Sequence, residues 1–284
     1  MHAIESEFAR VAAHYARPNL EAAIREGLIA AGKDPAHLKG DDLQALDEFH
    51  IRGRKATHDL ARDLGLERHM QVLDVGSGLG GAARYLAREF GCCVTGLDLS
   101  AENCQVATAL TLSLGLESRV SFQQGNALAL PFADASFDVV WTQHAGMNIA
   151  DKEGHYREMW RVVRPGGRLA VYDILAGPGG DLYFPVPWAR EPGASFLLTP
   201  RQLLNRLTDT GFRPVIWRDM TNAGREWFRH LQERVVKEAP SPVGLHLLLG
   251  PDFQQMALNQ LLNLEGERIV LIEGVFRRPF EWPQ

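Results

Sequence analysis

One stretch decides the fold of this chain: Val72-Leu73-Asp74-Val75-Gly76-Ser77-Gly78-Leu79-Gly80-Gly81. It begins as a short apolar strand, predicted over 71–75, and runs into a glycine-rich turn. The residues after the turn have helical spacing and predict a helix over 79–90. Glycine adopts positive φ and lets a ligand approach the backbone closely. The stretch therefore predicts the first crevice of a nucleotide-binding α/β sheet.

The glycine turn alone leaves the ligand open. Gly76, Gly78 and Gly81 fit the GxGxxG pattern, which also suits NAD. Asp98 closes the next predicted strand, 93–98, at a distance along the chain that suits binding of a ribose diol. A turn that merely links strand to helix is the weaker interpretation, because Asp98 stands at the position expected of a ribose-binding acid. The choice between cofactors depends on the rest of the chain.

Composition excludes several classes of protein. The 284 residues are 45% hydrophobic and 23% charged, as in an ordinary globular protein, and the net charge of −5 argues against a nucleic-acid partner. Three cysteines, Cys92, Cys93 and Cys104, are too few for a disulfide framework or a zinc cluster, and the ten histidines show no metal-ligand spacing. The N-terminus carries no recognisable signal and no apolar run is long enough to span a bilayer. We expect a cytoplasmic protein without a metal.

Strands and helices alternate along the middle of the chain, which predicts a Rossmann-like α/β fold with a parallel sheet covered on both faces. A further helix and two strands follow. The predicted strands are 71–75, 93–98, 120–124, 137–142, 168–173, 212–218 and 268–276, and the predicted helices of the core are 79–90, 101–114, 152–163 and 200–210.

The flanking segments are predicted to be helical. Residues 1–67 form an N-terminal lid, residues 68–284 form the core, and residues 222–264 form a helical insertion before the last strand. Within the lid, Asn19 is placed to cap one helix and Asp41 or Asp42 another. A third helix is predicted over 54–64. These helices precede the first strand and are free to lie over its C-terminal edge.

Three further motifs follow in the order typical of one family. They are Gly125-Asn126-Ala127, Phe137-Asp138-Val139-Val140-Trp141 and Arg161-Val162-Val163-Arg164-Pro165-Gly166-Gly167-Arg168-Leu169. With the glycine turn, they make residues 71–174 resemble a class I S-adenosylmethionine-dependent methyltransferase. Within that class the chain resembles the ubiquinone/menaquinone C-methyltransferase group, and its run 76–87 is also similar to sarcosine/dimethylglycine N-methyltransferases. The resemblance implies a seven-stranded, mostly parallel sheet whose last strand is antiparallel.

The resemblance also implies roles for residues at the cofactor site, where S-adenosylmethionine would bind and S-adenosylhomocysteine would remain as product. Asp74 with the backbone of 76–78 would hold the methionine portion, and Asp98 would bind the ribose hydroxyls. Leu99, Gly125, Asn126 and Ala127 would surround adenine, and Gln143 would lie under the sulfonium. The implied cofactor-binding residues are therefore Asp74, Gly76, Ser77, Gly78, Asp98, Leu99, Gly125, Asn126, Ala127 and Gln143.

Two positions depart from the family pattern. Asn126 replaces an acid that is common there, although an amide still pairs with adenine. His144 follows Gln143 where the dimethylglycine-type enzymes have an Asp, which weakens the prediction of an amino-acid-like substrate.

The acceptor side is predicted from residues near the expected methyl position. His144 is the candidate general base, with ordering of its loop as the alternative role. Tyr15 resembles a lid tyrosine but suits core packing equally, and His50 suits a roof over the cofactor or a cap. Two loops, after the fourth and fifth strands, are expected to face the active-site mouth. Their candidate residues are Met147, Asn148, Tyr183 and Trp188. Trp227, Phe228, His246 and leucines 245 and 247–249 are interpreted as core of the inserted helices.

These features predict a methyltransferase that acts on a small, partly apolar metabolite by in-line displacement. The alternatives are an N-methyltransferase of a glycine-, sarcosine- or dimethylglycine-like amine, an NAD(P)-dependent oxidoreductase, and a non-catalytic cofactor-binding protein. A homodimer is compatible with the sequence. The acceptor atom and the identity of the metabolite are left open at this point.

Overall fold

A computed structural model of the chain describes Val11 and residues 14–47, 49–237 and 241–280, with backbone only over 232–237. Seven strands of the described residues form one sheet in the order β3-β2-β1-β4-β5-β7-β6. Only β7 runs antiparallel to its neighbours. The predicted fold class is confirmed. The strands are β1 Gln71–Val75, β2 Cys93–Asp98, β3 Val120–Gln124, β4 Phe137–Gln143, β5 Val163–Ala176, β6 Arg213–Asp219 and β7 Ile269–Arg277.

Ten α-helices surround the sheet within the described residues. They are α1 Leu20–Ala30, α2 Gln44–Asp47, α3 Arg54–Arg62, α4 Gly81–Phe90, α5 Ala101–Ser113, α6 Lys152–Val162, α7 Pro200–Thr210, α8 Thr221–Lys237, α9 His246–Leu249 and α10 Phe253–Glu265.

The helices form two layers, one on each face of the sheet, and the strands are therefore buried on both faces. On one face, Leu60 of α3, Leu86 of α4 and Leu264 of α10 belong to a single apolar core. On the other face, Met159 of α6 and Leu207 of α7 belong to a second core. A third cluster joins α1 to α5. Burial of apolar surface on this scale is the main term that stabilises such a fold.

Most predicted element bounds agree with the structure to within one or two residues. Helix α4 begins at Gly81 and not at 79, because Gly80 is left-handed with φ 80°. Strand β5 begins at Val163, five residues before the prediction. Ser100 caps α5, since its hydroxyl accepts a hydrogen bond from the Asn103 N–H at 3.1 Å.

The caps predicted for the N-terminal helices are wrong. Asn19 is left-handed with φ 65° and its side chain caps nothing, so backbone conformation alone starts α1. Asp42 accepts a hydrogen bond from the Lys39 N–H, and Asp41 pairs with Arg54. Neither carboxylate caps a helix, and α2 is a single turn. The division into residues 1–67 and 68–284 stays a prediction.

A buried ion pair fixes α2 to the start of α4. Asp47 and Arg84 form a salt bridge, with only 7% and 3% of the side chains exposed. The contact is close, because a Cβ atom on Gly81 would lie 2.2 Å from the Asp47 carbonyl oxygen. Glycine at 81 therefore allows the N-terminal segment to pack directly onto the glycine turn.

We expect Asp47→Ala to lower the free energy of unfolding by about 3–5 kcal/mol, because it leaves the Arg84 charge buried without its partner. Urea unfolding measures the change. The control is Asp41→Ala, which removes an exposed pair with Arg54 and should cost far less. Equal losses in the two variants would contradict the assigned importance of the buried pair.

Candidate active site

A cavity of about 190 Å³ lies at the edge of the sheet where β1, β2, β3 and β4 end. These strands are parallel neighbours, so their carboxyl ends meet at one edge. We call this space the glycine-turn cavity. All ten predicted cofactor-binding residues line it: Asp74, Gly76, Ser77, Gly78, Asp98, Leu99, Gly125, Asn126, Ala127 and Gln143.

The glycine turn shapes the floor of the cavity. Gly76 and Gly78 have φ of 80° and 53°, which side chains rarely adopt. A Cβ atom on Gly76 would lie 2.5 Å from the Ala145 Cβ, whereas one on Gly78 would meet no atom within 4 Å. Gly76 is therefore needed for packing of the turn, and Gly78 leaves open space.

The N–H groups of this turn are already bonded within the protein. The Gly76 and Ser77 N–H groups donate to the Leu97 carbonyl at 2.8 and 3.1 Å. The Gly78 N–H donates to Asp98 Oδ2 at 2.8 Å. The turn therefore holds β2 and Asp98 in place and leaves a ligand the open space beside Gly78.

Asp98 is fixed by hydrogen bonds at both carboxylate oxygens. Its Oδ1 accepts from the Ser100 N–H at 2.9 Å and from Asn103 Nδ2 at 3.2 Å, while Gly78 occupies Oδ2. Burial nevertheless raises the pKa of Asp98 above its ordinary value. The carboxylate is held rigidly at the end of β2.

Asp74 is a buried carboxylate in the wall of the same cavity, with 3% of its surface exposed. Burial, with a smaller contribution from the Asp98 charge, raises its pKa from 3.8 to about 7. An ionised carboxylate at this depth is unfavourable without a cation nearby. Asp74 is therefore prepared to pair with a positively charged ligand.

Charge in the cavity wall is one-sided. Asp47, Asp74 and Asp98 line the cavity, and among the described lining residues there is no lysine or arginine. The same wall contains His50 and His144. Burial lowers the pKa of His50 to about 4 and that of His144 well below its ordinary value. Both imidazoles are neutral at pH 7, so the wall is acidic.

Hydrogen bonds fix the orientation of the Gln143 amide. Its Oε1 accepts from Trp141 Nε1 at 3.1 Å and from the Thr57 hydroxyl at 3.3 Å. Because an indole N–H only donates, the atom facing Trp141 must be the amide oxygen. The Nε2 group is buried and has no partner among the described residues. Gln143 therefore presents an N–H donor to the cavity.

His144 stands at the end of β4 in a left-handed conformation with φ 48°. Its backbone N–H donates to the Tyr172 carbonyl at 2.8 Å, and its ring stacks on Tyr172 with centroids 5.1 Å apart. The His50 ring meets the His144 ring edge-on, with centroids 6.0 Å apart. Its Nε2 lies 3.1 Å from the Thr57 hydroxyl. The two histidines form part of one packed layer.

Tyr15 connects the N-terminal segment to the loop after β4. Its hydroxyl donates to Asn148 Oδ1 at 2.8 Å, and Asn148 Nδ2 donates to the Trp188 carbonyl at 2.7 Å. Burial raises the pKa of Tyr15 above its ordinary value, so the phenol stays protonated. The predicted residues Tyr15 and Asn148 are thus brought together at the cavity wall.

A second space of about 80 Å³ lies beyond Tyr15, Phe49, His50 and His144, which line both. We call it the apolar compartment. No described residue that lines it is Asp, Glu, Lys or Arg. Besides the four shared residues, it is lined by Ile51, Met147, Ile174, Pro187, Trp188, Trp227, Phe228, Leu231, Leu245, Leu249, Phe253, Ala257 and Gln260.

The sequence interpretation of the insertion was incomplete. Trp227 and Phe228 of α8 do join the core, but with Leu245 and Leu249 they also line the apolar compartment. Leu248 lines the glycine-turn cavity. Helical periodicity shows that a face is apolar but not whether it packs on protein or on a space, and no local signal distinguishes the two.

Tyr183 is the one predicted acceptor-side residue that the structure does not bring to either cavity. The residue is 47% exposed, and the Arg268 guanidinium carbon lies 4.3 Å from the centroid of its ring. The backbone of residue 183 is bonded to Asn263 of α10, which fixes the loop outside the mouth. Met147 and Trp188, from the two predicted loops, do reach the apolar compartment.

Two other features are missing from the part of the chain that the structure describes. No group of three or more His, Cys, Asp or Glu side chains there is arranged to hold a metal ion. No described helix is both long and apolar enough to cross a membrane.

Comparison with known proteins identifies the central domain. Residues 73–171 match the family described as "Methyltransferase domain". The methyltransferase GfsG of Streptomyces halstedii is 41% identical over 134 residues, covering 47% of this chain and 48% of that protein. The 2-methyl-6-phytyl-1,4-hydroquinone methyltransferase of Synechocystis is 45% identical over 144 residues, covering 51% and 42%. The match thus spans about half the length of these relatives.

The crystal structure of the [4+2]-cyclase SpnF is similar with a TM-score of 0.66 and 23% identity, covering 91% of this chain and 94% of that one. At that identity the similarity defines the fold alone. The fold and the domain match together place the chain among proteins with a Rossmann-like methyltransferase domain. Residues 73–171 are that domain, homologous to S-adenosylmethionine-dependent methyltransferases, and the resemblance seen in the sequence is confirmed.

The raised pKa of Asp74 has a consequence for stability. Ionisation of a carboxyl whose folded-state pKa is raised from 3.8 to about 7 destabilises the fold. This contribution is absent below about pH 4, grows as the pH rises to 7 and is constant above it. We expect Asp74→Asn to stabilise the ligand-free protein by up to about 4 kcal/mol at pH 8 and by less at pH 5.

Urea unfolding at several pH values measures this difference. The control is Asp181→Asn, at an exposed position remote from the cavity, which should not change the pH profile. A destabilised Asp74→Asn protein at pH 8 would show that the carboxylate has a structural partner.

Proposed function

We propose that this chain is an S-adenosylmethionine-dependent methyltransferase that acts on a small, uncharged and largely apolar metabolite. The observation that carries the proposal is the charge of the glycine-turn cavity. No cationic side chain lines its described wall, and of its three carboxylates Asp47 is paired with Arg84, whereas Asp74 and Asp98 have no cationic partner among the described residues. Such a wall suits a ligand with a sulfonium and an ammonium group. When bound, that cofactor supplies an activated methyl group on its sulfur.

The described residues fit the parts of this cofactor. Asp74 offers an unpaired carboxylate to the ammonium, and Asp98 offers a fixed carboxylate to the ribose hydroxyls. Gln143 offers its free N–H to an oxygen acceptor. At the far side, the Asn126 side chain and the backbone of 125–127 line the place for adenine. Gly78 leaves the space that the ligand requires, since a Cβ there would meet no protein atom within 4 Å.

The same observations disfavour a nicotinamide cofactor. A dinucleotide places its pyrophosphate on free N–H groups of the turn and of the following helix. In this chain the N–H groups of 76–78 are bonded to Leu97 and Asp98. Asp47, moreover, packs against Gly81 at the start of α4. A dianionic ligand would therefore find the N–H groups of 76–78 already used and the Asp47 carbonyl oxygen packed on the start of α4.

The apolar compartment supports an uncharged acceptor over a glycine-like amine. Its described lining has no formal charge, and burial keeps both histidines neutral at pH 7. Burial of a zwitterion there would cost its hydration without compensation. The hydroquinone methyltransferase found among the relatives acts, by its name, on a phytyl-substituted ring, and a partly apolar acceptor of this kind suits the compartment.

The shared wall is the place where the two reactants would meet. Tyr15, His50 and His144 separate the cavities and line both. Their packing would hold the acceptor in line with the methyl group and exclude water. Fixing two reactants in such a geometry supplies roughly 7–11 kcal/mol of the barrier lowering. We propose that positioning is the main contribution of the protein.

His144 is proposed to act on the acceptor side as a neutral imidazole. Its lowered pKa makes it a weak base, because proton transfer is most efficient when the pKa lies near the working pH. Its contact with a hydroxyl or carbon acid of the acceptor would orient that group. A cytoplasmic location and a homodimer remain proposals; the three unpaired thiols Cys92, Cys93 and Cys104 support the first.

Titration calorimetry with S-adenosylhomocysteine and with NADH tests the cofactor. We expect only the first to bind, with an affinity that falls between pH 8 and pH 6 as Asp74 becomes protonated. Asp74→Asn should weaken binding at pH 8 by roughly tenfold or more and remove the pH dependence. Binding of NADH alone would reverse the proposal.

We expect His144→Ala to lower methyl transfer by roughly tenfold or more, while the affinity for S-adenosylhomocysteine changes little. The acceptor for this assay is the best compound from a screen of amines, phenols, quinone precursors and sterol-like lipids. His58→Ala is the matched control, because His58 is exposed on α3. Unchanged turnover in His144→Ala would remove the proposed role.

A further inference from the structure

Helix α10 carries three buried side-chain amides, and they differ in their partners. Asn259 Nδ2 donates to the Pro185 carbonyl at 2.9 Å, and Asn263 Nδ2 donates to the Tyr183 carbonyl at 3.0 Å. Their Oδ1 atoms accept hydrogen bonds from Gln255 and from the Tyr183 N–H. These two amides fix the loop after β5 to α10, and both ends of each are used.

Gln260 differs from both. Only 8% of its surface is exposed, yet its amide makes no hydrogen bond within the part of the chain that the structure describes. Unlike Gln143 Nε2, neither polar atom of the Gln260 amide is sealed in the protein without a partner, so the amide is open to the space beside it. An accessible amide without a structural partner, on a side chain that is otherwise buried, is therefore a candidate for ligand binding.

The surroundings of Gln260 identify the space that its amide faces. Gln260 lines the apolar compartment, as does Ala257 one turn earlier on α10. The Tyr15 hydroxyl and the Trp188 indole N–H, which belong to the same lining, donate to Asn148 and Ser195. The Gln260 amide thus remains available in a wall that is mostly hydrocarbon.

We propose that Gln260 binds a polar substituent of the methyl acceptor and so determines which acceptors this chain takes. This inference rests on the proposed function and adds the class of substrate. An amide both donates and accepts, so it pairs equally with a hydroxyl and with a carbonyl oxygen. The acceptor is therefore an uncharged, mainly apolar molecule that carries one such oxygen within the compartment.

The test uses phenol and toluene, which match in size and differ by a hydroxyl in place of a methyl group. Each is titrated into the protein saturated with S-adenosylhomocysteine, and the fluorescence of Trp188 and Trp227 in the compartment wall reports binding. We expect the unmodified chain to bind phenol more tightly. Gln260→Met keeps the length of the side chain and should weaken phenol by roughly tenfold while toluene binds as well or better.

The matched control is Gln254→Met, the same substitution at an exposed position of α10. It should change neither affinity. Because the amide makes no hydrogen bond with the described protein, Gln260→Met should not lower the melting temperature. Gln260→Leu provides a second variant if the thioether alters packing.

Two outcomes separate the failure of this inference from the failure of the proposed function. In the first, S-adenosylhomocysteine binds, while Gln260→Met and Gln260→Leu each change the affinities for phenol and toluene equally, or change neither affinity. In that case Gln260 does not select the acceptor. If S-adenosylhomocysteine itself does not bind to the unmodified chain, the proposed function fails and the inference with it. A lower melting temperature in both Gln260 variants would show a structural role for the amide and overturn the inference.

Discussion

The site depends on one constraint: two carboxylates, the buried Asp74 and the half-buried Asp98, lie at the carboxyl edge of a parallel sheet and line one cavity. Hydrogen bonds from Gly78 and Ser100 hold Asp98, while Asp74 has burial without a compensating charge, which raises its pKa to about 7. The glycine turn makes this possible, because its N–H groups bond to β2 and keep both carboxylates in register. The free energy that the fold gives up there becomes available when a cation binds.

The second constraint is a difference in charge between two adjoining cavities. The glycine-turn cavity is acidic, and the apolar compartment has no charged side chain in its described lining. His144 stands between them because its left-handed backbone ends β4 and stacks its ring on Tyr172. Electrostatic attraction would thus hold a cationic cofactor on one side of the aromatic wall of Tyr15, His50 and His144. Apolar packing would hold an uncharged acceptor on the other side.

The comparison with SpnF shows why the reaction must be argued from the site. A cyclase shares this fold over 91% of the chain, so the topology does not define the chemistry. The candidate cofactors are distinguished by local contacts in the site. The N–H groups of 76–78 are already used, Asp47 packs against the start of α4, and the Gln143 amide is oriented by Trp141 and Thr57.

The sequence by itself determined the sheet, its helices and the set of residues at the strand ends, because periodicity and glycine placement act locally and parallel strands bring their ends together. Only the tertiary structure decided the state of those residues. Burial set the pKa values of Asp74 and His144, and the packing of α8 and α10 made a compartment from residues that looked like core. The same packing left Tyr183 outside the apolar compartment. It placed Gln260 in the compartment wall without a hydrogen-bond partner among the described residues. These outcomes depend on contacts between segments far apart in the chain, such as Thr57 with Gln143, which no local pattern encodes.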